Sequence, residues 1–177
     1  ADLERGSVGG MGTSYHGPCR PDTLIISPTR ELCVQIGSEA SKFCHATPFR
    51  VAVIHGGEGT MHPQMMDLAR GADVLVATPG RLLDFVGVEI VCVRSVVQLV
   101  IDEADCFFYS SIGLADTLRT LVDLHGLPAC RGRQTMLYSA SLSAEIQTLV
   151  REFLHNLIAV QMGVPGSAVI TVAQFVV

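Results

Sequence analysis

Short apolar runs alternate along this chain with longer segments in which apolar residues recur every third or fourth position. The runs Thr23–Ser27, Val51–His55, Asp73–Ala77, Val97–Ile101, Gln134–Tyr138 and Ile158–Met162 are mostly apolar and partly β-branched. They predict short strands covered on both faces, as in a parallel sheet. Between them, Leu32, Ile36, Ala40 and Phe43 form one helical stripe, and Leu114, Leu118, Leu121 and Val122 a second. Ile146, Leu149, Val150, Phe153 and Leu154 form a third, with the spacing of a core-facing helix. Strand and helix in regular alternation with short links predict an α/β fold: a doubly wound, mostly parallel sheet with helices on both faces. Residues 1–22 are different, since Gly6, Gly9, Gly10, Gly12, Gly17, Pro18 and Pro21 make them loop-rich. One domain is expected over 23–168. Residues 169–177 read as a last strand or as the start of a connection onward.

Composition narrows the class. With 177 residues, 49% of them apolar, and a mean hydropathy of +0.42, the chain can bury a sizeable core. No apolar stretch reaches ~18 residues, so no membrane-spanning helix, and no membrane partner, is expected. The Gly-rich, polar first twenty residues do not look like a secretory leader. Six cysteines (Cys19, Cys33, Cys44, Cys92, Cys106 and Cys130) form no CxxC pair and several lie in apolar runs. They read as reduced thiols of an intracellular protein, cytoplasmic or nuclear, and not as a zinc site or disulfide framework. A net charge of −5 argues against coating nucleic acid by bulk charge, so any such contact must use a few placed groups.

Five strings directly follow predicted strands, where an α/β sheet presents its functional edge. Pro28-Thr29-Arg30 opens the Leu32–Phe43 helix, which is expected to begin at Ser27 or Pro28. Thr78-Pro79-Gly80-Arg81 opens another, with Thr78 a good N-cap and Pro79 a good first residue. Helix initiation explains both strings, but Gly80 also admits a phosphodiester to free N–H groups, and the arginine forks of Arg30 and Arg81 suit phosphate. Two such strings on neighbouring strand ends predict a groove that tracks a sugar–phosphate backbone without reading bases. Gly56-Gly57 completes that groove or is simply a tight turn. Asp102-Glu103 after Val97–Ile101 is a solvated acidic turn or a Walker B pair, in which Asp102 holds Mg²⁺ through water and Glu103 positions the attacking water. Asp105 close behind favours the second reading. Ser139 and Ser141 either cap the following helix or hydrogen-bond Asp105. The single lysine is Lys42, so no lysine-bearing phosphate loop is present.

Taken together, PTREL at 28–32, GG at 56–57, TPGR at 78–81, DEAD at 102–105 and Ser139-Ala140-Ser141 resemble the first RecA-like domain of DEAD-box RNA helicases. The stretch from Phe153-Leu154 to Gln174 looks most like the Vasa-like subgroup. The resemblance implies a fragment of an ATP-dependent RNA helicase that unwinds short RNA duplexes or remodels RNA–protein complexes. It implies a RecA-like core without its P-loop segment, with ATP and Mg²⁺ as cofactors of the parent protein. Asp102, Glu103, Asp105, Ser139 and Ser141 would serve hydrolysis and its coupling to RNA. Pro28, Thr29, Arg30, Gly57, Thr78, Pro79, Gly80 and Arg81 would line the RNA path. The implied partners are single-stranded or short duplex RNA, a second RecA-like domain of the same parent chain, and protein regulators. The other readings are a catalytically silent RecA-like module that binds RNA or protein and, ranked last, a flavodoxin-like signalling or cofactor domain. Departures from the family pattern are Ser141 in the third place of SAT, Cys106 and Phe107 for a basic residue and Met, and Ser27 for Ala.

Overall fold

A computed structural model of the chain describes residues 17–109 and 113–162. The loop-rich stretch is therefore seen only from residue 17, and the segment at 169–177 lies outside the described residues. Five strands form one parallel sheet: β1 (Thr23–Ile26), β2 (Val51–Ile54), β3 (Val74–Ala77), β4 (Gln98–Ile101) and β5 (Gln134–Leu137), in the order β2-β3-β1-β4-β5. Each lies inside its predicted run. The sixth expected strand, Ile158–Met162, is not one: these residues follow the last helix in no ladder, with Ile158, Val160 and Met162 at 86, 84 and 93% exposed. An apolar run becomes a strand only beside a ladder partner, and among the described residues none lies beyond β5.

Between the strands lie α1 (Arg30–Phe43), α2 (Met61–Leu68), α3 (Pro79–Gly87) and α4 (Leu114–Asp123), and α5 (Ala144–Phe153) follows β5. Right-handed crossovers decide their faces. The β1→β2 connection runs one way across the sheet, so α1 takes one face. The connections β2→β3, β3→β4 and β4→β5 run the other way, so α2, α3 and α4 take the opposite face. Packing agrees with this. Leu24, Leu75 and Leu99 share one rung, Ile54, Ala77, Ile26 and Ile101 the next, and all are buried in one cluster with Leu82, Phe85, Leu118 and Leu121. On the other face Gly37 of α1 sits so close to Val53 that a Cβ there would clash. One helix cannot cover five strands, and Ile25, Val53 and Val100 on that face are only half-buried. α5 joins the main cluster through Ile146, Leu149 and Phe153. It is tied to α4 by a two-pronged pair, Arg119 Nε to Glu152 Oε1 at 2.6 Å and Nη2 to Oε2 at 2.7 Å.

Candidate nucleic-acid interface

All five strands are parallel, so their C-terminal ends share one rim. Along it, in sheet order, stand Gly56-Gly57 after β2, Thr78–Arg81 after β3, Pro28–Arg30 after β1, Asp102–Asp105 after β4 and Ser139–Ser141 after β5. The chain winds outward to one side from β1 and to the other from β4, so the switch point lies between them, where α/β sheets open a crevice. Predicted phosphate-gripping residues lie on one side of it and the carboxylates on the other. There the Asp102 N–H donates to Ile26 O at 3.0 Å.

On the first side, α1 begins at Arg30, two residues beyond Pro28 and three beyond Ser27, the expected starts. Thr29 is the N-cap, its hydroxyl accepting from Leu32 N–H at 3.2 Å, while Ser27 is fully buried at the end of β1. Burial pushes the Cys33 thiol, which donates to Ile54 O at 3.5 Å, up to about 11. Thr29 is thus occupied with capping. Arg30 is exposed and makes no hydrogen bond or ion pair among the described residues. A Cβ on Gly57 (φ 137°) would come 3.2 Å from Arg30 Nη1, so a side chain there would crowd the arginine and strain the turn. Thr78 is the N-cap of α3 by position, but its side chain makes no capping hydrogen bond. Thr78 and Gly80 are half-buried at this helix start and Pro79 is buried.

Arg81 behaves differently from Arg30. Its side chain is only 10% exposed, lies over the Phe85 ring at 5.3 Å, and donates from Nη1 to Gln64 Oε1 at 3.1 Å and Thr60 Oγ1 at 3.4 Å. The guanidinium is tied into the protein, not held out as a fork. Gln64 and Thr60 were not singled out from sequence. The legible signal was Gln64 four residues before buried Leu68, a polar residue on the core stripe of α2.

On the second side, Glu103 holds a left-handed backbone (φ 48°) and its N–H donates to Asp102 Oδ1 at 3.0 Å. Asp105 Oδ1 accepts from the Ser139 hydroxyl at 3.0 Å and the Ala140 N–H at 3.4 Å, and the Ala104 N–H donates to Tyr138 O. Ser141 reaches this cluster through its backbone, its N–H lying 3.3 Å from Ser139 Oγ and its carbonyl accepting from that hydroxyl. Cys106 stands beside these carboxylates. Its thiol is held up first by what burial it has, then by Glu103 and Asp105.

The donor set bears on cofactors. Among the described residues no three His, Cys, Asp or Glu side chains gather to cage a metal ion. A strand-end carboxylate is what a magnesium ion that keeps its waters requires, and Asp102 fits that. Among the described residues no lysine stands at the rim to grip a triphosphate. Lys42 is paired with Glu39 at 2.6 Å near the end of α1, roughly 20 Å of helix away from the rim.

The comparisons with known proteins bear on the same residues. The chain is 43% identical over 175 residues to the DEAD-box ATP-dependent RNA helicase 52A of Oryza sativa subsp. japonica, covering 95% of itself and 29% of that protein. Against the probable ATP-dependent RNA helicase DDX4 of Bos taurus it is 40% identical over 155 residues, 87% of this chain and 21% of the relative, in keeping with the Vasa-like resemblance. It thus spans under a third of the length of these curated relatives. Among solved structures it is similar to the yeast DEAD-box splicing factor Prp28 (TM-score 0.65, 28% identity, 76% of this chain and 31% of that one). It is also similar to a hypothetical ATP-dependent RNA helicase from Sulfolobus tokodaii (TM-score 0.66, 31% identity, 77% and 39%). The family model described as DEAD/DEAH box helicase matches residues 14–149 and so takes in all five strands and every rim string, and the chain belongs to that family.

Proposed function

We propose that this chain forms the RNA-gripping and hydrolysis-coupling rim of an ATP-dependent RNA helicase, within a first RecA-like domain that works against a second one. The observation that carries this is the strand order. It supports a backbone track of Arg30, Gly57, Thr78 and Gly80 on one side of the switch point and Asp102, Glu103, Asp105 and Ser139 on the other. In the parent protein, ATP with Mg²⁺ would supply the free energy for bending and separating a strand, with Asp102 the residue of this chain that would share in holding the metal. This chain's own residues do the rest. Arg30 offers a free fork, and the starts of α1 and α3 offer amides to phosphates without contact to bases. Asp102 faces the site as a magnesium-water acceptor. Asp105, held by Ser139 and Ala140, ties the strand end carrying Glu103 to the turn before α5, so a shift at one end is felt at the other. Protein regulators would act on the parent protein.

Labelled single-stranded RNA titrated with the chain at several salt concentrations tests this. Binding should weaken linearly on a log–log plot, should not depend on base sequence, and Arg30→Ala should lower the slope by about 1. Absence of binding at low salt, or a strong sequence preference, would overturn it.

A further inference from the structure

Gln64 is one of four buried polar or charged residues among those described, at 8% exposed. A primary amide on the core side of a short helix needs partners for its donor and acceptor, or it costs about 1–3 kcal/mol. It has them. Oε1 accepts from His55 N–H at 3.2 Å and from Arg81 Nη1 at 3.1 Å, while Nε2 donates to His55 O at 3.1 Å. His55 is the residue between β2 and Gly56-Gly57. The amide therefore satisfies both backbone polar groups of the residue from which that turn springs. Thr60 repeats the link one helical turn earlier. Its hydroxyl lies 2.8 Å from Gly57 O and 3.4 Å from His55 O, and accepts from Arg81 Nη1. Arg81 belongs to the Thr78–Arg81 string. Two rim segments from different strands are thus fastened together by three side chains from α2 and its approach and from α3.

We propose that Gln64, with Thr60, is a positioning residue for the RNA backbone. It fixes the distance between the Gly56-Gly57 turn and the start of α3, with Arg81 as the crosspiece between them. This rests on the reading that both segments hold RNA. Phosphates along a strand are evenly spaced, so amides held at a set separation meet consecutive phosphates without first being ordered. Gln64 itself contributes no charge to the track and touches no phosphate.

The test uses the whole chain and a fluorescent single-stranded RNA. Gln64→Met keeps the volume of the side chain and removes its hydrogen bonds. We expect it to weaken RNA binding ~5-fold with the salt slope unchanged, because uncharged amides are displaced and no counter-charge is lost. Leu68→Ala, a core change on the same helix, lowers thermal stability but leaves affinity unchanged where the protein is folded. Gln64→Met and Thr60→Val should be non-additive in RNA affinity, as members of one unit. Should Gln64→Met not fold, Thr60→Val alone carries the test, with an expected loss of ~3-fold at unchanged slope. If the unaltered chain binds RNA and Arg30→Ala weakens it, yet Gln64→Met and Thr60→Val bind as tightly as the unaltered chain, the brace is overturned and the RNA reading stands. If the unaltered chain binds no RNA, both fall.

Discussion

At the scale of single residues, neighbours along one strand differ sharply in what they hold. Leu24 is fully buried in the main cluster, while Ile25 faces the side that α1 only partly covers. Leu24→Ala should cost ~2–5 kcal/mol and Ile25→Ala less than half of that, read from urea unfolding midpoints. Equal losses would show that both faces are sealed alike. Glu103 carries a different load, being a non-glycine residue held at φ 48°. A left-handed residue of this kind costs ~1–2 kcal/mol, of the same order as what glycine forfeits in backbone entropy. Glu103→Gly should therefore leave the melting temperature unchanged or slightly raised, where an ordinary Glu→Gly change lowers it. That strain was not visible in the sequence, because a positive φ leaves its mark only where glycine is chosen to meet it. The pairing of Asp105 with Ser139 was legible, since both follow strands whose ends a parallel sheet brings together.

At the scale of elements, strands β1 to β5 and the stripes of α4 and α5 could be read from periodicity. The expected α1 stripe, in contrast, ends on Phe43, which is 84% exposed, and the buried residues of α1 are Cys33 and Gly37. The packing that binds the elements could not be read. Gly37 shows why. In sequence it is an ordinary weak point in a helix; in the fold it is the place where α1 closes on Val53. Gly37→Ala gains ~1 kcal/mol of helix propensity and loses ~1–3 kcal/mol to overpacking, so the net effect should be destabilising in thermal unfolding. A gain would mean that α1 can move outward freely. The tie between α4 and α5 adds a pH signature. Arg119 holds Glu152 below the usual carboxylate range, chiefly through their hydrogen bonds. A carboxyl depressed in the folded state stabilises at pH above its unfolded value, and the benefit disappears as pH falls through the folded one. The melting temperature of Glu152→Gln should thus lie below that of the unaltered chain at neutral pH, and the gap should close in acid. A gap that persists in acid would assign the loss to packing instead of charge. Ile158–Met162 was misread because its apolar pattern is a strand's, whereas strand formation depends on a neighbour that periodicity does not report.

At the scale of the whole molecule, the rim was the most legible feature. Strings placed after consecutive strands must reach one edge once the sheet is parallel, whatever the strand order. The order itself was not legible, and it is what separates the phosphate side from the carboxylate side. This separation leads to the prediction about turnover. In the proposed reading Asp102 and Glu103 would place a magnesium-bound water, but phosphoryl transfer also requires positive groups around the transferred phosphate. Lys42 is bound to Glu39 well away from the rim, and Arg81 is engaged by Gln64 and Thr60. Arg30 stands with Gly57 on the other side of the switch point, the proposed RNA track. Absence of one such arginine can slow related transfers ~10³-fold or more, and here no lysine or arginine stands free on the carboxylate side among the rim strings. The chain given RNA and Mg²⁺-ATP should therefore release phosphate no faster than its Glu103→Gln variant in a coupled phosphate assay. Nucleotide binding in a fluorescent titration should be weak. Release clearly above the Glu103→Gln rate would mean that the carboxylate side is complete without added cations.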